Sequence, residues 1–220
     1  MLTESKVKFI EFMMSCDVLR FGDFVTKSGR RTPYFVNTGL YRTGAQIAAL
    51  GDFYAQCVKE ACGEEFDAMF GPAYKGIPLV TTTAASLNRL YGMDKPFFFN
   101  RKEEKDHGEG GSLVGYKPKD GDRVIIIEDV ITAGTAVRET MPILMGAAKV
   151  TAPHMFISVN RCEVGKIPGK TAVMEVMEEY GIAVHSIVDA RDIHEYLTTK
   201  PEYASVLKLM EEYMAQYCVF

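Results

Sequence analysis

Apolar residues along this chain fall into two alternating kinds of run. One kind is short and rich in β-branched or aromatic residues, as in Phe66–Phe70, Phe97–Asn100, Arg123–Ile127, Val150–Val159 and Ala183–Val188. Runs of this length and composition read as buried strands. The other kind is longer, with apolar residues at helical spacing, such as Ile77, Val80, Ala84, Leu87 and Tyr91 within residues 76–91. Helices are read on the same grounds at 3–16, 43–62, 135–147, 171–180 and 201–217. Strands alternating with helices predict an α/β fold with a mainly parallel central sheet flanked by helices. The N-terminal part breaks this rhythm. Residues 21–41 are short apolar pieces interrupted by Gly22, Gly29, Pro33 and Gly39, which suits short strands and turns. A single domain spanning 1–220 is expected, with 1–41 forming a small hood lobe over a core of 42–220. Residues 101–115, rich in glycine and charge, read as a mobile loop.

A chain of 220 residues with 47% hydrophobic content suits one large α/β domain with a sizeable core. A net charge of −4 argues against broad nucleic-acid binding, although residues 101–105 form a local basic patch. Glu4, Lys6, Lys8, Glu11 and Asp17 interrupt the N-terminal apolar residues, unlike a signal peptide. No apolar stretch approaches the roughly 20 residues needed to span a bilayer. A cytoplasmic protein with neither membrane nor nucleic-acid partner is expected. Cys16, Cys57, Cys62, Cys162 and Cys218 show no paired metal-ligand spacing, so reduced thiols are expected rather than a zinc site.

The candidate chemistry begins where the run Val124-Ile125-Ile126-Ile127 meets Glu128 and Asp129. Ligands of open α/β sheets bind at the carboxyl ends of strands. The turn that follows, Thr132-Ala133-Gly134-Thr135, is small and rich in hydroxyls, and it opens the helix at 135–147. Backbone N–H groups at a helix start favour an anion, and small side chains let a phosphate approach. Paired carboxylates followed by such a cradle suit a ribose 5-phosphate, whose vicinal hydroxyls the acids would hold. An ordinary acidic turn after a buried strand would read the same way.

This segment resembles the phosphoribosyl-pyrophosphate (PRPP) motif of type I phosphoribosyltransferases. Three further segments narrow the resemblance to the orotate phosphoribosyltransferase family. They are Phe70–Pro78, the stretch Asn100–Gly111, and Lys27-Ser28-Gly29-Arg30 followed by Pro33-Tyr34-Phe35. The resemblance implies the type I phosphoribosyltransferase fold and a glycosyltransferase, specifically pentosyltransferase, reaction. The 5-phosphoribosyl group of PRPP would pass to N1 of orotate, giving orotidine 5′-monophosphate and pyrophosphate in de novo pyrimidine (UMP) biosynthesis. It also implies Mg²⁺, held mainly by PRPP oxygens and water rather than by a protein cage, and a homodimer sharing the loop 101–115 across its interface. A purine phosphoribosyltransferase and a PRPP-sensing regulator of the same fold are the alternatives. With Phe220 as the last residue, a monofunctional protein is expected.

The resemblance assigns roles residue by residue. Lys27, Tyr74, Lys75, Arg101, Lys102, Lys105 and His107 would bind PRPP. So would Glu128 and Asp129 through the ribose hydroxyls, and Val130, Ile131, Thr132, Ala133, Gly134, Thr135 and Ala136 around the 5-phosphate. Lys105 would stabilise the departing pyrophosphate, helped by Lys102, Arg101 and His107, and Asp129 would face the developing ribose cation. Phe35, Val36, Thr132 and Arg161 would bind orotate, with Arg161 gripping its carboxylate in two-point fashion. The chain departs from the pattern twice: Glu128 stands where the motif often has an aspartate, and Val36 where many relatives have a second phenylalanine.

Overall fold

The computed structural model describes residues 2–25, 29–102, 112–131 and 134–220. In chain order the elements are α1 (Glu4–Ser15), β1 (Leu19–Val25), β2 (Arg31–Val36), α2 (Gly44–Cys62), β3 (Ala68–Gly71), α3 (Gly76–Tyr91), β4 (Phe97–Asn100), β5 (Leu113–Gly115), β6 (Val124–Ile127), α4 (Thr135–Ala147), β7 (His154–Asn160), α5 (Ala172–Tyr180), β8 (Ala183–Asp189), α6 (Ala190–Thr198) and α7 (Ala204–Tyr217). Short 3₁₀ turns lie at Thr38–Leu40 and Pro201–Tyr203.

Six strands form the main sheet in the order β5-β4-β3-β6-β7-β8. All neighbours are parallel except β5, which runs antiparallel to β4. The expected α/β fold with a mainly parallel sheet is thus present. Period-two alternation explains why β6 is apolar throughout. Ile125 and Ile127 join a core with Phe9, Leu50, Tyr54 and Val80 on one face. Val124 and Ile126 join a second core with Val137, Leu144 and Val176 on the other. Both faces are covered, so every residue of β6 is fully buried.

Local chemistry sets the helix ends. Thr43 and Gln46 form a reciprocal capping box at the start of α2, and Thr171 caps α5. Gly51 lets α2 and α3 approach, because a Cβ there would overlap Thr82.

Two features differ from the sequence reading. Leu113–Gly115 lies within the loop read at 101–115, yet it forms strand β5 against Phe98–Asn100. Three residues supply too little pattern to signal an edge strand. Helix α6 was not expected: it starts directly from β8, capped by Asp189, which accepts from the N–H groups of Arg191 and Asp192. At the N-terminal end, α1 buries Phe9, Ile10 and Met13 in the same core that takes Leu19 and Tyr34 of the hairpin. Among the described residues the hairpin β1–β2 forms a second, two-stranded sheet, paired antiparallel from Leu19↔Val36 to Val25↔Arg31.

Candidate active site

The strand order reverses between β3 and β6. The chain leaves β3 through α3 to reach β4 on one side, while β6 pairs on the other. Such a switch opens a crevice at the carboxyl ends of the strands. The segment 72–75 leaves β3 at this crevice, and Glu128 and Asp129 leave β6 there. Gly71 and Gly76 close the first turn tightly, since a Cβ on Gly71 would overlap the Gly76 carbonyl.

Asp129 is the hub. Its Oδ2 accepts from Lys75 Nζ at 2.6 Å and from Thr38 Oγ1 at 2.8 Å. Its Oδ1 accepts from the Val130 N–H at 2.7 Å. Lys75 Nζ also donates to Thr38 Oγ1 at 3.1 Å. Asp129 is nearly buried, whereas the Lys75 side chain is 59% exposed and so free to reach outward. The backbone beneath is fixed: Ser158 donates to the Asp129 carbonyl through N–H at 2.8 Å and Oγ at 2.7 Å. Tyr54 OH donates to the Glu128 carbonyl at 2.7 Å.

Glu128 is held differently. Its Oε1 accepts the Asp129 N–H at 2.8 Å. Burial, with the adjacent Asp129 charge adding to it, pushes the Glu128 carboxyl up to about 8. The folded protein therefore keeps a proton that the unfolded chain has lost near pH 4.5. From there to about pH 8 this group makes stability fall as pH rises. Glu128→Gln removes that dependence. In thermal melts its Tm should match wild type at pH 5 and exceed it by at least about 2 °C at pH 8.5. A gap that does not change with pH would contradict the assignment.

Arg101, Lys102, Glu128 and Ala136 line one cleft of about 270 Å³ together with Ala73 and Asn100. Lys102 Nζ lies 5.0 Å from the centre of the exposed Tyr74 ring. The Arg101 N–H donates to the Ser112 carbonyl at 2.7 Å, holding together the two ends of the glycine-rich segment. At the start of α4, Gly134 adopts a left-handed φ of 70° and no side chain caps the helix. Thr135 and Ala136 are its first helical residues. Val130 and Ile131 direct their side chains into the two cores, and Val130 continues the pairing of β6 with β7 through a bridge to Val159. Lys27, Lys105, His107, Thr132 and Ala133 lie outside the described residues.

On the hairpin, Phe35 and Val36 point to opposite faces, as neighbours on a strand must. Val36 packs against the main core, whereas Phe35 is exposed beside Phe24, with ring centres 5.9 Å apart. Arg161 follows directly on β7. Its guanidinium lies 4.4 Å from the centre of the Tyr34 ring of β2, and Arg161 Nη2 donates to Thr32 Oγ1 at 3.0 Å. These contacts seat the hairpin on the main sheet beside the arginine.

A model of the phosphoribosyl transferase domain matches residues 37–163. The orotate phosphoribosyltransferase of Lachnoclostridium phytofermentans is 48% identical, covering 99% of both chains. That of Clostridium acetobutylicum is 51% identical over 90% of this chain and 88% of the relative. The chain belongs to the orotate phosphoribosyltransferase family. The solved orotate phosphoribosyltransferase of Francisella tularensis superposes with a TM-score of 0.86 at 35% identity, covering 96% of this chain and 99% of that one. Family membership thus extends over nearly the whole chain. A purine phosphoribosyltransferase or a PRPP-sensing regulator is not favoured.

Several residues that build this orotate phosphoribosyltransferase site were not singled out from the sequence. Buried Asn100 accepts the Ala73 N–H on Oδ1 at 2.8 Å and so fixes the turn carrying Tyr74 and Lys75. Thr38 completes the Asp129 cluster. The one available signal was an amide ending the aromatic run Phe97-Phe98-Phe99. Thr38, Ser158 and Tyr54 carry no local signal at all.

Proposed function

We propose that the chain transfers the 5-phosphoribosyl group of PRPP to N1 of orotate, forming orotidine 5′-monophosphate and pyrophosphate. The observation that carries this reading is the meeting of the Glu128–Asp129 pair with the Lys75 turn at one strand-order switch. Asp129 and Glu128 accept hydrogen bonds from the ribose 2- and 3-hydroxyls. Lys75, released from Asp129 as those hydroxyls arrive, turns to the phosphate oxygens. The uncapped N–H groups at the start of α4 take the 5-phosphate, with Thr132 and Thr135 adding hydroxyls. Asp129 then stands beside a ribose that becomes cationic as the anomeric bond breaks.

Arg101 and Lys102 at the cleft, joined by Lys105, His107 and Lys27, offset the charge gathering on the pyrophosphate. Phe35 offers one aromatic face, the backbone at 35–36 reads the base edge, and Arg161 takes the carboxylate that separates orotate from uracil. The described residues contain no group of three metal-ligating side chains. The nearby donors are the Asp129 carboxylate and the Glu128 carboxyl, too few for a protein cage, which fits Mg²⁺ riding on PRPP oxygens. When bound there, Mg²⁺ supplies charge neutralisation of the pyrophosphate. Among the described residues no helix is long and apolar enough to cross a membrane. We assign the protein to the cytoplasm and to a homodimer in which the glycine-rich segment serves the neighbouring subunit's site.

A base panel tests the reading. With PRPP and Mg²⁺, orotate should yield nucleotide, while adenine, hypoxanthine and uracil should not. Nucleotide from a purine but not from orotate would sink it.

A further inference from the structure

The Arg161 guanidinium is fixed by a polar cluster reaching to the far end of the chain. Arg161 Nε donates to Glu163 Oε1 at 2.7 Å, and Arg161 Nη2 donates to Tyr213 OH at 3.0 Å. Tyr213 OH in turn donates to the same Glu163 oxygen. The other Glu163 oxygen accepts from Arg30 Nη1 at 2.6 Å. Glu163 is therefore gripped from β2's approach, from its own strand end and from α7, and it is not a loose surface carboxylate. Burial alone would raise its carboxyl, but Arg161, Tyr213 and Arg30 more than offset this and hold it below the ordinary value. Burial raises the Tyr213 phenol, which keeps its proton to donate.

The backbone repeats the connection. The Val164 N–H donates to the Tyr217 carbonyl at 2.8 Å, and the Val219 N–H donates to the Cys162 carbonyl at 2.8 Å. Between them Cys162 sits at a left-handed φ of 54°, its N–H taken by Asn160 Oδ1 at 2.9 Å. The C-terminal segment thus clamps the sharp turn that carries Arg161. A long arginine has several rotatable bonds, and holding it in one direction before the ligand arrives lowers the entropy lost on binding.

We propose that Glu163 and Tyr213 are positioning residues that aim Arg161 at the orotate carboxylate, so that the C-terminal helix sets affinity for the base. This rests on Arg161 being the carboxylate ligand, and the test separates the two claims. Tyr213→Phe keeps the ring that packs edge-on against Tyr34 at 5.8 Å and removes only the hydroxyl. In the full chain it should raise KM for orotate about tenfold, as expected for a hydrogen bond to a charged group. KM for PRPP should stay unchanged, while Tm falls by a few degrees at most, about what one lost hydrogen bond costs. The Ki of uracil as a competitive inhibitor should also stay unchanged, since uracil lacks the carboxylate. Glu163→Gln should follow the same pattern, and Arg161→Ala should exceed both.

A parallel rise in the PRPP KM or the uracil Ki would show general loosening and overturn the proposal. So would an unchanged orotate KM in Tyr213→Phe and Glu163→Gln while Arg161→Ala is impaired. If Arg161→Ala itself leaves the orotate KM unchanged, the carboxylate assignment fails and the positioning role falls with it.

Discussion

Asp129→Asn lowers kcat/KM by about 100- to 1000-fold and leaves the fold intact. The magnitude follows from what one preorganised electrostatic contact contributes in a water-poor site. Three consequences converge on this side chain. The substitution removes the negative charge nearest the ribose as it becomes cationic. It leaves one acceptor oxygen where the carboxylate has two, so the amide NH2 must face either Lys75 or the Val130 N–H, both donors only. And it frees Lys75 and Thr38, which both donate to Asp129 Oδ2. The fold survives because the backbone contacts do not involve the carboxylate: Ser158 still binds the residue 129 carbonyl and Tyr54 the residue 128 carbonyl. Steady-state kinetics with a parallel thermal melt check this. A loss below tenfold, or a collapse of Tm, would remove Asp129 from the chemistry.

Lys105→Ala is the second large effect, a fall of about 100-fold or more in kcat with PRPP binding little changed. The pyrophosphate gains charge only as the anomeric bond breaks, so a cation aimed at it stabilises the transition state more than the ground state. Arg101 and Lys102 already line the cleft, and the Arg101–Ser112 hydrogen bond brings both ends of the segment to its rim. Single-turnover rates and PRPP titration separate the two steps. The same variant tests the shared site. Mixing inactive Lys105→Ala with inactive Asp129→Asn should restore activity through hybrid dimers. No recovery despite demonstrated subunit exchange would place Lys105 in its own subunit's site.

How much of this was legible in the sequence depends on whether the signal was local. The strand β6, the acids after it and the start of α4 at Thr135 were readable, because a doubly buried strand needs a continuous apolar run and must end where polarity changes. Helix α6 was missed because it follows β8 without a loop, and Asp189 serves at once as strand end and helix cap. The polar contacts that orient the site were invisible for a different reason. Arg161 meets Thr32 and Tyr213, residues 129 and 52 positions away, and Lys75 meets Asp129 across 54. Sequence spacing carries no trace of such pairings. Val36 shows a third case: strand alternation packs its side chain against the core, and the residue type alone does not reveal which face of the hairpin it takes.

The measurement that bears most directly on the account is the fall in orotate absorbance on adding PRPP and Mg²⁺ to the purified protein. Steady loss of orotate is expected, requiring PRPP and releasing one pyrophosphate for each orotate consumed. Orotate left untouched under those conditions would contradict it.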